Sequence, residues 1–410
     1  MGTPWLRTRL SVHNFITGAA YGAWIPILSK YVEGLGFSPL EITLTCACGT
    51  AAFVLSTMVA GPVADRWIAT EKLIGLINLG AAGAFAWAST LTSFATLAPV
   101  LLLAATFFVP TFPLQNALAF RHLPDPARQF PPIRAAQTVG WIAAGVVLTL
   151  WLRGPGEGRL GHSLLLTALL NVVNGLFAFT LPSSPPARPV QGRGAPAARA
   201  LALFREPSFA VFGAALFIFM IFANFFYPYA GLYLPSIGFQ PADVPFLLTF
   251  CQVAEIFMLF LLPWAYARLG PKGTMLTGIG LWALRYLLFA LALPWPVVLL
   301  ALGLHGPGFA FSRIAATIYA DRVAPADARA SVQSLLSLII DGVGGLLGAV
   351  VAGLALGRFA GNWALLWGIP TAGGLAAFAL LAAGFRAQRS PVENFSPNLS
   401  APTVLREAEE

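Results

Sequence analysis

Long apolar stretches alternate with short polar breaks along this chain, and the stretch lengths predict the elements. A helix needs about 20 predominantly apolar residues to cross a bilayer. Six such stretches fall near 10–32, 41–63, 73–92, 95–119, 132–152 and 163–181, and six more near 208–235, 244–267, 273–293, 296–318, 331–355 and 362–385. The first follows Arg7 and Arg9, as a signal peptide would. It is too long for a signal core and contains Pro26 and Lys30 with no small-residue cleavage site, so it reads as a retained helix. The longest polar break, about 182–206, carries Pro, Gly and four arginines and divides the stretches six and six. The pattern predicts an all-α integral membrane protein with twelve transmembrane helices in two six-helix bundles. The expected parts are an N-terminal bundle at 1–182, a cytoplasmic linker at 183–206, a C-terminal bundle at 207–388 and a cytoplasmic tail at 389–410.

Composition narrows the class. Of 410 residues, 58% are apolar and 10% charged, with a mean hydropathy of +0.77. Soluble domains carry about 25% charged residues, so a soluble enzyme and a disordered chain are both excluded. The net charge of +8 would suggest a nucleic-acid partner until the cations are placed. With a cytoplasmic N-terminus, only Lys30, Arg153, Arg159 and Arg358 fall on the far side. Arg134, Arg285 and Arg313 lie inside spans or at their edges, and the remaining seventeen of 24 cations are cytoplasmic. That asymmetry predicts two cytoplasmic termini in a multi-pass protein of the cell inner membrane. The basic balance is then topology plus attraction to anionic lipid, with no nucleic-acid partner and a monomer as the default.

No enzyme constellation appears: there is no His-Glu-x-x-His, no G-x-S-x-G and no phosphate-cradling loop. Cys46, Cys48 and Cys251 lack metal-site or disulfide-framework spacing, so no cofactor or metal is implied. The chemistry lies in the few polar groups inside spans. Only Glu255 and Asp341 among 16 acids sit deep, and such groups are costly in lipid unless they line a cavity or pair. At 1.5 Å per residue, Glu255 and Arg285 both lie about 20 Å deep, Arg313 about 12 Å and Asp341 about 18 Å. Those depths allow Glu255 with Arg285 and Asp341 with Arg313. Each pair reads either as a protonatable carboxylate with its counter-cation or as a static tie between helices. His305 sits mid-span beside Gly306, Pro307 and Gly308, which permit unwinding toward a cavity; a bond to a neighbouring helix fits equally well.

Two loops repeat at equivalent places in the halves, GPVADRWIATEK at 61–72 and PWAYARLGPKG at 263–273. Either could be an ordinary solvated turn. The first, however, resembles the G-x-x-A-D-R loop of the major facilitator superfamily, which implies a conformational latch at Asp65 and Arg66. The stretch RQFPPIRAAQTVGWI at 128–142 resembles the F-P-P-I-R segment that opens the fifth helix of the nucleoside:proton symporter family within that superfamily. Further similar stretches are YGAW at 21–24, QVAEIFMLFLLPWAYARLG at 252–270, WALRYLLFA at 282–290 and ARAS at 328–331.

This resemblance implies a secondary active transporter of the major facilitator fold that imports a nucleoside with protons by alternating access. It carries substrate-binding roles onto Arg134, Thr138 and Trp141 of the fifth helix and onto Asn224 and Tyr227 of the seventh. On the eighth helix they fall on Gln252 and Glu255, and on the tenth on Phe309 and His305, the latter in place of a tyrosine. Aromatic faces suit a base, and amide, hydroxyl and carboxylate groups suit ribose hydroxyls and base edges. The family's proton-coupling Asp of the tenth helix is Ala310 here, while Asp341 stands where the family pattern has Asn. The proton is therefore expected on Glu255 or Asp341. The alternative is a transporter of the same fold for a sugar or another small polar metabolite, with or without proton coupling.

Overall fold

The computed structural model describes residues 5–124, 126–153, 159–186, 196–324 and 329–387. Every regular element among them is helical, as lipid requires of a chain that must satisfy its own backbone groups. Nine stretches among the described residues are long and apolar enough to cross a membrane. One of them, Pro241–Ala290, makes two passes, because the chain reverses at Gly270. That residue has φ 66° and ψ 176°, a conformation a side chain would strain, and Pro271 follows it. Leu6–Trp24 and Thr70–Ala88 are more polar and complete twelve legs.

The first leg is Leu6–Trp24 with Leu28–Gly34, and the second is Pro39–Cys46 with Cys48–Arg66. Thr70–Ala88 is the third, Phe94–Phe108 with Thr111–His122 the fourth, Pro126–Leu152 the fifth and His162–Ala178 the sixth. A short helix, Pro196–Leu203, precedes the seventh leg, Pro207–Ala223 with Phe226–Ser236. The two arms of Val244–Ala290 are the eighth and ninth. The tenth runs in four pieces from Trp295 to Val323, the eleventh in three from Arg329 to Arg358, and the twelfth is Trp363–Gly384. The expected tail at 389–410 lies outside the described residues.

Prolines explain several mid-leg breaks. A proline frees the carbonyl four residues before it and crowds that turn. Pro228 acts on Asn224, where the seventh leg divides, and Pro307 acts on Gly303, next to the division at Leu304. The tenth and eleventh legs also each contain a π-helical segment, Ala310–Ile314 and Leu338–Gly344. Such wide turns are rare and cluster at functional sites.

Lipid offers no hydrophobic drive between helices, so close approach depends on small residues. The first and fifth legs touch backbone to backbone: a Cβ on Gly18 would lie 1.8 Å from the Gln137 carbonyl oxygen, and one on Gly140 1.9 Å from that of Phe15. In the second half, a Cβ on Gly306 would meet the Ala254 backbone at 2.3 Å and one on Gly278 the Ser312 nitrogen at 2.3 Å.

Legs one to six meet legs seven to twelve mainly at one end, where the first leg turns into the second. There Gly231 packs on Ser29, Gly353 on Leu40 and Thr43, and Gly145 on Pro245 and Thr249. The Phe246 backbone N–H donates to Thr149 Oγ1 at 3.1 Å, and Arg153 Nε pairs with Asp243 at 2.7 Å.

Candidate functional site

Between the two sets of legs lies a cavity of about 390 Å³. All nine residues singled out for substrate binding line it: Arg134, Thr138, Trp141, Asn224, Tyr227, Gln252, Glu255, His305 and Phe309. Helical spacing explains the convergence, since residues three or four apart share a face. Arg134, Thr138 and Trp141 form one such row, and Asn224 with Tyr227, Gln252 with Glu255, and His305 with Phe309 form three more. The apolar run beginning near residue 132 placed Arg134 at the edge of its span. The fifth leg in fact starts at Pro126, so Arg134 sits eight residues in, about 12 Å along the helix, with its side chain open to the cavity.

One wall is aromatic. Trp141 meets Tyr21 edge-on at 5.1 Å and Tyr227 at 6.1 Å, and the His305 and Phe309 rings lie 3° from parallel at 6.1 Å. The polar groups lie beside it. Gln252 Nε2 donates to the Tyr227 hydroxyl at 3.5 Å, and Gln115 Nε2 donates to Gln137 Oε1 at 3.1 Å. Glu255 has no ion pair within 4 Å among the described residues; the cation acting on it is Arg134, across the cavity on the fifth leg.

The Glu255–Arg285 pairing allowed by depth does not form. Arg285 is wholly buried and bonds His305 Nδ1 at 2.7 Å. Its guanidinium carbon lies 4.0 Å from the Phe226 ring centre and 4.2 Å from that of Trp282. Depth follows the rise per residue, whereas direction follows the rotation per residue, and rotation points Arg285 at His305 and the Phe226 ring.

The Asp341–Arg313 pairing does form. Arg313 Nε donates to Asp341 Oδ1 at 3.0 Å and Nη2 to Oδ2, while Nη1 reaches Thr317 Oγ1 at 3.1 Å. Arg313 lines the cavity; Asp341 stands behind it, and each lies in a π-helical segment.

Reading by residue type and motif missed Tyr21, Gln137 and Trp282, which also line the cavity. Gln137 was accessible in principle, as it falls on the same helical row as Arg134 and Trp141. Tyr21 and Trp282 were not, because an aromatic in a span looks the same facing lipid or facing a cavity. Of the expected latch, Arg66 is exposed at the end of the second leg, and the side chain of Asp65 lies outside the described ones. The acid engaged nearby is Glu71, buried, whose Oε2 accepts from the Ser184 backbone N–H at 2.8 Å. His122 and Arg121 add bonds to Ser184 Oγ and the Pro185 carbonyl at 2.7 Å each. Three side chains thus tie the segment after the sixth leg to the third and fourth.

A helical membrane protein with a polar, aromatic-walled cavity between two sets of six legs has the architecture of a major facilitator transporter. The comparisons carry this further. Residues 5–390 match the model of the nucleoside H+ symporter family. The chain is 31% identical to the putative nucleoside transporter YegT of Escherichia coli K12 over 379 residues, covering 88% of this chain and 89% of that one. It is 28% identical to the xanthosine permease of the same organism, covering 88% and 91%. The crystal structure of the nucleoside transporter NupG superposes with a TM-score of 0.83 at 24% identity, covering 93% of this chain and all of that one. The chain therefore belongs to the nucleoside H+ symporter family, a bacterial permease family of multi-pass membrane transporters, and is a transporter rather than an enzyme.

Proposed function

We propose that this protein imports nucleosides together with protons, alternating access to its central cavity. The observation that carries the reading is the convergence of Arg134, Thr138, Trp141, Asn224, Tyr227, Gln252, Glu255, His305 and Phe309 on one cavity. Trp141, Tyr227 and Phe309 would take the base, and Gln252, Glu255 and Arg134 the ribose hydroxyls and base edges. Family membership favours this over the sugar-transporter alternative.

The protein works as a monomer in the bacterial inner membrane, surrounded by lipid, with both termini cytoplasmic. Its two bundles, 1–182 and 207–388, rock about the cavity and are joined by the linker at 183–206. Asp65 and Arg66 serve as a latch on the cytoplasmic side. In that orientation the end closed by Gly231, Gly353 and the Arg153–Asp243 pair is periplasmic, so the conformation described is the inward-facing one.

Glu255 carries the transported proton, and Asp341 is the second carboxylate of the coupling path. Glu255 faces the cavity without a close ion pair, free to exchange a proton and to feel a bound substrate. Asp341 is clasped by Arg313 and reaches the cavity through it. The test is uptake of radiolabelled uridine and adenosine into proteoliposomes, with and without an inward proton gradient. Glu255→Gln should abolish gradient-driven accumulation while leaving exchange of labelled for unlabelled substrate, and Asp341→Asn should weaken accumulation. Unimpaired coupling in both variants would overturn the proton assignment. Saturable uptake indifferent to the gradient would overturn symport, and no uptake of either nucleoside would overturn the substrate class.

A further inference from the structure

Arg285 is an unusual group to find in this protein. Its side chain is wholly buried, and its Nε and Nη2 have no hydrogen-bond partner among the described residues. In place of a carboxylate it has aromatic faces: Phe226, Trp282 and Tyr286 lie 4.0, 4.2 and 4.9 Å from the guanidinium carbon. Cation–π attraction suits such a desolvated guanidinium, and the rings leave it little freedom to turn. Its bond from Nη1 to His305 Nδ1 at 2.7 Å therefore has a defined direction.

A guanidinium has only donors, so Nδ1 must present its lone pair and cannot carry a proton. A neutral imidazole with a bare Nδ1 has its hydrogen on Nε2. That second nitrogen makes no bond among the described residues and is not among the buried unpartnered atoms, while the ring lines the cavity. His305 thus offers the cavity one N–H and no acceptor. The neighbouring rings, Phe309 nearly parallel and Tyr227 at 6.4 Å, make this the end where a flat base would lie.

We propose that Arg285 is a positioning residue that holds His305 as the Nε2–H tautomer, making this point of the cavity a donor that selects bases presenting a carbonyl over bases presenting an exocyclic amine. The inference rests on the nucleoside reading given above. A carbonyl oxygen completes the hydrogen bond. An amine would set donor against donor and leave both desolvated without a partner.

Two measurements test it. In proteoliposomes, pairs that exchange that carbonyl for an amine, the adjoining ring nitrogen changing from N–H to acceptor with it, are compared: uridine with cytidine and inosine with adenosine. The carbonyl-bearing member should have a KM lower by about tenfold or more, with kcat little changed, the size expected for one unmade buried hydrogen bond. Arg285→Lys, which still donates to Nδ1, should keep the preference. Arg285→Met and His305→Gln should reduce it to about twofold or less, since a freed imidazole or an amide can either donate or accept. Equal KM values within both pairs for the wild-type protein would overturn the inference while leaving nucleoside transport standing; absence of any nucleoside uptake would instead overturn the underlying reading.

The second measurement needs no ligand. With only four histidines, ¹⁵N spectra of histidine-labelled protein resolve the tautomer, and His305→Gln assigns the signal. A neutral ring protonated at Nε2 is expected in the wild-type and Arg285→Lys proteins. An Nδ1-protonated or doubly protonated ring at neutral pH would overturn the proposal, even if Arg285→Met failed to fold.

Discussion

The fifth and tenth legs wall the same cavity, yet they are built in opposite ways. Pro126–Leu152 is one unbroken helix of 27 residues, held against the first leg by Gly18 and Gly140 at backbone contact. It presents Arg134, Thr138 and Trp141 at plain helical intervals. The tenth leg is divided at Leu304 by the effect of Pro307 and widened into a π turn at Ala310–Ile314. On it sit His305, bonded to a buried arginine, and Arg313, paired with Asp341 on another irregular leg. The contrast separates two tasks. The fifth leg is a stiff platform that presents contacts, whereas the tenth holds its polar groups through partners on other legs. Irregular backbone at membrane depth is tolerated where it is buried in protein or lines a cavity.

That comparison can be tested from its strongest contact to its weakest. The largest effect is expected for Gly140→Leu, whose Cβ alone would sit 1.9 Å from a backbone oxygen. Overpacking typically costs about 1–3 kcal/mol, and a backbone neighbour that cannot rotate away should take the cost beyond that range. No monodisperse protein should survive size-exclusion chromatography, while Gly303→Ala on the tenth leg, with nothing within 4 Å, should behave as wild type. If both were tolerated, the fifth leg would not be the rigid member.

Next comes Pro307→Ala, which restores the missing backbone donor in the tenth leg. An interior proline costs about 3 kcal/mol in a regular helix, so a rise in the thermal melting temperature is expected. Nucleoside uptake should fall several-fold as the leg straightens around His305. Higher stability with full uptake would show that the break serves packing alone.

The Arg313–Asp341 pair comes third. A double-mutant cycle of Arg313→Ala and Asp341→Ala, read by chemical or thermal unfolding, should give a coupling of about 1–3 kcal/mol, as for contacting residues in one network. The side chains keep 16% and 27% of their exposure, so solvent screening holds the value at the lower end. A coupling near zero would make the pair incidental to joining the tenth and eleventh legs. The smallest effect belongs to Asp243→Asn at the closed end, where Arg153 is 58% exposed. A change of less than about 1 kcal/mol is expected, shrinking further in high salt. A larger loss would make this pair the main clasp of that end, in place of the glycine contacts around it.

The candidate site was legible to the extent that helical geometry governs it. Gln252 with Glu255 and His305 with Phe309 repeat at three or four residues, so if one member faces the cavity the other must. The Asp341–Arg313 pair was legible for a related reason: two opposite charges at similar depth in adjacent spans have strong cause to meet. The same arithmetic failed for Glu255 and Arg285. Their depths agree, but the rotation of the eighth and ninth legs points one at Arg134 across the cavity and the other at His305. The π turns left no mark on the hydrophobic pattern, because one added residue in a turn changes neither the length nor the apolarity of a span.

Lipid as the solvent, the helical architecture, the two sets of six spans and the residue types available for the chemistry are all written along the chain. Those features follow from span length and charge placement along the chain, which are one-dimensional quantities. Which charges pair, which aromatics face the cavity instead of lipid, and which nitrogen of His305 turns toward the cavity emerge from the packing of the legs. Those depend on the rotation of each helix about its axis and on how closely glycines let neighbouring backbones approach, and no single span carries that information.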